Sequence, residues 1–330
     1  MKYSAFVVSE NENSEYEGVV KQLDTSDLPA GEVLVRVEYS SLNFKDALSS
    51  VGNKGVTKAY PHTPGIDAAG VIEESTAEGL EVGQSVLVVG YDLGMNTSGA
   101  FGEYIRVPSS WVIPRSTMSA RTAMAWGTAG FTSALCVEKI ITAGVKKEDG
   151  PIVVTGGTGG VGSVAIKLLT KLGFEVHAVT SKQKSVQYLE SLGASKVIFL
   201  EDFLDDSKRP MLKAIYAGGI DVAGGVVLSS MLKSIKYQGA VACCGLVDSV
   251  SLNTTVLPFI LRGVTLAGVD SVELPLDKKI NTWNKMSKEW SLDDIEENCS
   301  EVNLDGLSDA LNLVLNGQAQ GRFILKHQTS

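Results

Sequence analysis

The stretch with the clearest chemical potential is Ile152-Val153-Val154-Thr155-Gly156-Gly157-Thr158-Gly159-Gly160-Val161-Gly162. Its β-branched run reads as a buried strand, which the glycine cluster then breaks. Val164, Ile166, Leu168, Leu169 and Leu172 follow at helical spacing and stop at Gly173. Gly157, Gly159 and Gly162 fit the spacing G-x-G-x-x-G. In that pattern the first glycine permits a tight turn, the second admits a pyrophosphate to the backbone, and the third lets helix pack on strand. The helix start adds unpaired N–H groups and the positive end of a dipole, both suited to phosphate. Three glycines alone are weak evidence in a chain with 34 of them. The strand-like segment 175–179 supplies the missing context, because it completes a βαβ unit of the expected length.

The tip of that second strand bears on which nucleotide is bound. A site for NAD usually carries an acid roughly 20 residues beyond the glycines, accepting from the ribose hydroxyls. Here the tip reads Thr180-Ser181-Lys182-Gln183-Lys184, with no carboxylate. Two hydroxyls and an ammonium suit a 2′-phosphate, so the expected cofactor is NADP(H). Ser181 equally fits the N-cap of the next helix, and the two roles are compatible.

These residues belong to a chain of 330 residues, 44% hydrophobic, enough for one large core or two ordinary ones. Its net charge of −9 argues against general nucleic-acid or anionic-membrane binding. The start, Met1-Lys2-Tyr3-Ser4, lacks the apolar region of a signal peptide, and no stretch is long enough to span a bilayer. Cys136, Cys243, Cys244 and Cys299 have no metal-knuckle or redox-pair spacing. With His62, His177 and His327 scattered, no ligand cluster emerges and no bound metal is expected. Free thiols without an export signal fit the cytoplasm.

Taken in order, the first part is β-rich. Segments 3–8, 33–39, 64–72, 83–89 and 99–107 read as short strands between glycine turns, the pattern of a small barrel. Polar residues at 40–47 open a short helix. From about Ala123 helices alternate with strands. Strands are expected at 152–154, 175–179, 196–200, 220–223 and 240–244, and helices after the glycine turn, before Gly193, near 211–216 and through 231–235. That alternation predicts an α/β doubly wound parallel sheet with its ligand crevice at the strands' carboxyl ends. A late strand at 266–269, helices around 278–290 and 307–315, and a strand at 323–326 complete the chain.

The barrel pattern, Pro64-Gly65-Ile66-Asp67-Ala68-Ala69-Gly70, the helix 128–135, the glycine turn and Gln320-Gly321-Arg322 resemble the medium-chain dehydrogenase/reductase superfamily over essentially the whole chain. The segments 40–48, 127–137, 154–163 and 258–272 are similar to the YhdH/YhfP-type quinone oxidoreductases, which lie close to acryloyl-CoA reductases. The resemblance implies a GroES-like β-barrel domain at 1–122 and 271–330 and a Rossmann domain at 123–270. Zinc members carry a cysteine, a G-H-E motif and a later cysteine as catalytic ligands. The matching positions here read Ser41-Leu42-Asn43 and Gly65-Ile66-Asp67, so the resemblance implies a zinc-free branch. It also implies a homodimer formed through the strand 266–269.

By the same resemblance Asn43, Phe44, Lys45 and Asp46 face the nicotinamide site. Phe44 stands where related sequences often have tyrosine, so a phenolic acid is missing. Thr158, Gly159, Gly160 and Val161 are implied at the pyrophosphate, and Thr180, Ser181 and Lys182 at the 2′-phosphate. Leu246 and the turn Val269-Asp270-Ser271 are implied beside the nicotinamide, Arg322 near the cofactor, and Asp67 as support behind the site. Without a Lewis acid an alkoxide is poorly stabilised, which disfavours alcohol oxidation. Hydride addition to an electron-poor C=C fits better, because the adjacent carbonyl takes the developing charge. The expected acceptor is an enoyl-CoA such as acryloyl-CoA, with a quinone or enone as the alternative. A non-catalytic NADPH-binding role is the alternative of another class.

Overall fold

The computed structural model describes residues 1–115 and 117–328. Two compact units emerge. One comprises Met1–Thr128, Ser271–Ser287 and Asp293–Ser330, and the other Ala129–Asp270 with Lys288–Leu292.

The first unit is built around the strand Val33–Ser41, which pairs antiparallel with three others: Asp67–Ser75, Tyr104–Val107 and Arg322–Lys326. Ser85–Val89 and Val112–Pro114 extend the sheet on one side, and Cys299–Val302 extends it in parallel on the other. Val33, Val35 and Val37 bury their side chains with Ile72, Val86, Val88, Ile105 and Val107. Antiparallel pairing has a consequence for chemistry. It brings the end of the first strand, at Ser41, beside the start of the next, at Asp67.

Three strands lie outside the sequence-based expectations, among them Val112–Pro114, which has only three residues. Tyr16–Asp24 pairs with Lys2–Glu10, but most of its residues are exposed or half-buried, so it shows no apolar face to read. Cys299–Val302 is only four residues long and equally exposed.

The second unit carries six parallel strands in the order Lys196–Phe199, Val176–Thr180, Ile152–Val154, Tyr216–Asp221, Ile235–Cys243 and Thr265–Gly268. The doubly wound expectation is met. The helix expected near 211–216 is not formed. Leu212 and Ile215 give their N–H groups to the carbonyls of Lys233 and Ser234, which holds this segment extended, and a strand begins at Tyr216. That strand contains Gly218 and Gly219, which read as breakers in isolation. Here they are required by close packing, since a Cβ on either would collide with Ala240 O or the Met231 side chain.

Candidate active site

In the sheet unit, all six strands are parallel, so their carboxyl ends share one edge. The glycine turn, Thr180 and the segments after Cys243 and Gly268 lie along that edge. Gly160–Lys171 is a 12-residue helix whose N-cap, Gly159, offers no side-chain cap. Its first N–H groups therefore await an external acceptor. Gly162 plays the packing role assigned to it, because a Cβ there would collide with Gly156 O. The tight turn itself falls one residue earlier than expected, at Gly156, with φ +58. Gly157 is constrained instead by the side chains of Leu189 and Ile166. A methyl group placed on Gly159 would meet Gly156 O first, at 3.4 Å, which leaves its other side open to a ligand. Thr158 is buried, whereas Gly159, Gly160 and Val161 are half-buried at the opening.

Thr180 is buried, and its Oγ1 accepts from the Lys182 N–H at 3.0 Å, leaving its own proton to donate. Ser181 is exposed and makes no cap bond; the following 3-10 turn begins with Lys182 as N-cap. Partial burial pushes the Lys182 ammonium pKa down. A polyanion beside it would oppose that shift. Leu246 is more than half exposed, while the Val269 N–H is held by Cys243 O at 3.0 Å and Asp270 is exposed. The residues present thus fit a dinucleotide with a phosphorylated ribose.

One residue of this edge carries almost no sequence signal. Asp221 is fully buried at the end of Tyr216–Asp221, accepts from Thr155 Oγ1 at 2.9 Å and from the Gly224 N–H at 2.7 Å, and has its pKa raised by burial. It ties the ends of two central strands together beneath the glycine turn. In the sequence it is visible only as a carboxylate closing an apolar strand.

In the barrel unit, Asn43 precedes the helix Phe44–Ser50 and stands between two buried carboxylates. Its N–H donates to Asp46 Oδ2 at 2.8 Å, and its Nδ2 donates to Asp67 Oδ2 at 3.1 Å. Asp46 Oδ1 also accepts from the N–H groups of Gly65 and Ile66, at 3.1 and 3.0 Å. Burial, followed by the nearby charge of Asp67, pushes the Asp46 carboxyl up to about 7 against those donors. Phe44 and Lys45 are half-buried, with Lys45 Nζ 3.8 Å from Met95 Sδ.

Asp67 is the hub. It accepts from Ser41 N at 2.8 Å, Ser41 Oγ at 2.6 Å, Asn43 Nδ2 and the Thr128 N–H at 2.8 Å. Behind Ser41 lies Arg322, only 3% exposed, donating from Nη2 to Ser41 Oγ at 2.6 Å and from Nη1 to Leu42 O at 3.3 Å. Arg322 is therefore held inside the barrel unit by the Ser41–Asp67 pair. Gly127, with φ +51, sits against this cluster. A Cβ there would press on Ser41 Oγ and Arg322 Nη2, and the kink it allows delivers the Thr128 N–H to Asp67.

Comparison with known proteins accords with this geometry. Residues 29–117 match the alcohol dehydrogenase GroES-like domain, and residues 160–290 match the family described as zinc-binding dehydrogenase. The acrylyl-CoA reductase AcuI of Ruegeria pomeroyi is 39% identical over 325 residues, covering 98% of each chain. The chain belongs to the medium-chain dehydrogenase/reductase superfamily. Within it, the yhdH oxidoreductase of Salmonella enterica, solved in complex with NADP, superposes with a TM-score of 0.95 at 39% identity, covering 99% of this chain and 100% of that one. The yhfP protein of Bacillus subtilis, solved with NAD bound, gives 0.95 at 38% identity with the same coverage. The zinc of other superfamily members does not fit the residues here. The segment Ser41-Leu42-Asn43 holds no cysteine, Ile66 has no ligating atom, and Asp67 is committed to four hydrogen bonds. Among the described residues no three His, Cys, Asp or Glu side chains converge.

Proposed function

We propose that the chain is an NADPH-dependent, zinc-free reductase of the activated C=C of a short enoyl-CoA, acryloyl-CoA being the model substrate. The observation that carries this reading is the committed state of the Asp67 cluster, in a chain that also holds a complete dinucleotide turn. With no Lewis acid available, the electrophile must bring its own electron sink, and a thioester carbonyl conjugated to the alkene does so. The similarity to AcuI supports the acyl-CoA class.

When bound, NADPH would supply a hydride for the β-carbon, and a proton taken from solvent water at the α-carbon would complete the saturated thioester. Gly159, Gly160 and Val161 hold the pyrophosphate through backbone N–H groups, and Thr180, Ser181 and Lys182 hold the 2′-phosphate. Leu246, Val269 and Asp270 are assigned to the nicotinamide side of the same edge. Asn43 spends its amide protons on Ser41 and Asp67, which fixes its Oδ1 as an acceptor for an incoming N–H. The Lys45 ammonium is assigned to the enolate oxygen, where preorganised positive charge is worth most. Phe44 has no hydroxyl and supplies no proton. NADPH oxidation against acryloyl-CoA, enones and quinones tests the reading. Turnover of quinones with none of the thioester would overturn it.

Cofactor preference follows from the tip at Thr180. A charge-assisted hydrogen bond contributes about 1.5–3 kcal/mol, and partial solvation puts Lys182 near the lower end. NADPH is therefore expected to bind roughly tenfold more tightly than NADH, and Lys182→Ala to weaken NADPH selectively. Titration of both cofactors against both proteins measures this. Equal losses for the two nucleotides would remove Lys182 from the 2′-phosphate site.

We also propose that the chain forms a homodimer through Thr265–Gly268. This strand closes one end of the six-stranded sheet and pairs on one side with Ile235–Cys243. Its outer edge, with exposed Val256, Ile260 and Leu261 on the adjoining segment, would otherwise invite uncontrolled association. Sedimentation at micromolar concentration is expected to give twice the chain mass of 35.0 kDa; a monomer would contradict it.

A further inference from the structure

The barrel unit has a surface that the site described above does not use, and it adjoins the helix Phe44–Ser50. Tyr16 and Tyr60 lie with ring centroids 4.6 Å apart, and Lys54 Nζ stands 5.3 and 4.7 Å from the two rings. Tyr60 Oη donates to Ser49 O at 2.6 Å, which fixes the aromatic pair at the carboxyl end of that helix. Asn43 and Lys45 are at its amino end, about 10 Å away for seven residues. The segment 92–97 joins the two ends, because Met95 touches Lys45 Nζ and Asn96 Oδ1 accepts from the Lys58 N–H at 3.3 Å.

Two exposed ammonium groups, Lys54 and Lys58, stand on this surface in a protein of net charge −9, beside a hairpin that carries Glu10, Glu12, Glu15 and Glu17. Elsewhere in the unit the arginines are committed: Arg36 to Glu73, Arg106 to Glu74, Arg115 to Glu38, Arg121 to Glu296 and Glu301, with Arg322 buried. Lys54 and Lys58 are exposed, and among the described residues neither forms a salt bridge. Glu10 of that hairpin accepts from Tyr16 Oη at 3.0 Å, and the Tyr16 side chain and, after it, the charge of Glu10 help hold the Lys54 pKa up.

We propose that Lys54, Lys58 and the Tyr16–Tyr60 pair form the landing surface for the nucleotide end of the acyl-CoA. The diphosphate and 3′-phosphate would meet the two ammonium groups, and the adenine would lie against the aromatic pair. Cations suit a phosphate-rich tail, and aromatic faces bind a purine without demanding its edge contacts. A quinone or a simple enone has neither phosphate nor purine and gains nothing here. This inference rests on the enoyl-CoA reading and gives it a specificity determinant.

The test compares acryloyl-CoA with the acryloyl thioester of N-acetylcysteamine, which shares the reacting group and lacks phosphates and adenine. With NADPH saturating, the double variant K54A/K58A is expected to lower kcat/KM for acryloyl-CoA roughly tenfold or more through KM. The ratio of the two thioesters' kcat/KM should fall with it. An unchanged ratio would overturn the inference and leave the reductase reading standing. If neither thioester is reduced, the reductase reading falls, and calorimetry of CoA with the NADPH-loaded protein decides the surface separately. Binding that K54A/K58A abolishes supports it, and no binding, or binding indifferent to the two lysines, overturns it.

Discussion

Asp67→Ala is expected to unfold the barrel unit roughly 10 °C earlier than the wild type and to lower kcat/KM about a hundredfold or more. The stability term comes from Arg322. Its guanidinium is 3% exposed, and its hydrogen bond to Ser41 Oγ depends on Asp67 holding that hydroxyl. Asp67 and Arg322 meet through Ser41 Oγ rather than directly, and removing the carboxylate of such a buried set costs up to about 3–5 kcal/mol, because the guanidinium stays buried without compensation. Each kcal/mol shifts the midpoint by about 2–4 °C in a domain of this size. The kinetic term comes from Asn43, whose amide loses its anchor while its backbone stays fixed on Asp46. Asp67→Asn separates charge from shape, since it fills the same space and retains one oxygen acceptor. Thermal melting by circular dichroism and steady-state kinetics with acryloyl-CoA measure both terms. A melting point within 2–3 °C of the wild type for Asp67→Ala would show that Arg322 does not need the carboxylate.

How much of the molecule is legible in its sequence depends on the range of the interactions. The glycine turn announces itself because phosphate binding there uses backbone N–H groups, and the sequence records a backbone requirement as glycine at fixed spacing. Even so, the spacing assigns Gly157 the turn that Gly156 makes, since adjacent glycines look alike until φ is known. The doubly wound sheet is readable from alternating periodicities. The extended segment before Tyr216 is not, because its hydrogen bonds go to Lys233 and Ser234 rather than to its own neighbours. Arg322 carries the same lesson. A basic residue after glycine near the chain end suggests the cofactor, and the contact that only the fold reveals is with Ser41, 281 residues away, through antiparallel pairing of Arg322–Lys326 with Val33–Ser41. Asp67 reads as support for the site. Its four donors come from Ser41, Asn43 and Thr128, and only the fold assembles them.

The stability of the protein between pH 4 and 6.5 should respond to Asp46 and His327 in opposite directions. His327 is buried, its Nε2 donates to Ala100 O at 2.9 Å, and its Nδ1 has no hydrogen-bond partner. A proton on Nδ1 would be a buried cation without an acceptor, so burial pushes this histidine down to about 4. Unfolded, it titrates near 6.5. Between those values the unfolded chain holds the extra proton, and the native state gains about 1.4 kcal/mol for each unit of rising pH. That contribution is complete above 6.5 and is lost as pH falls toward 4. Asp46 has the reverse sign. Its folded value of about 7 lies above the usual carboxylate range, so the native state holds the extra proton. Its contribution is present below the unfolded value near 3.9 and is lost as pH rises through 7. In the wild type the two slopes offset each other over most of this window. Asp46→Asn removes one of them, and its stability relative to wild type is expected to rise by roughly 3 kcal/mol from pH 4 to 6.5. His327→Gln, which keeps a donor for Ala100 O, is expected to fall relative to wild type by a similar amount. Urea denaturation of the three proteins at half-unit intervals gives the slopes directly. Parallel curves for wild type and Asp46→Asn would mean that the three N–H donors from Asn43, Gly65 and Ile66 outweigh burial and keep Asp46 ionised throughout.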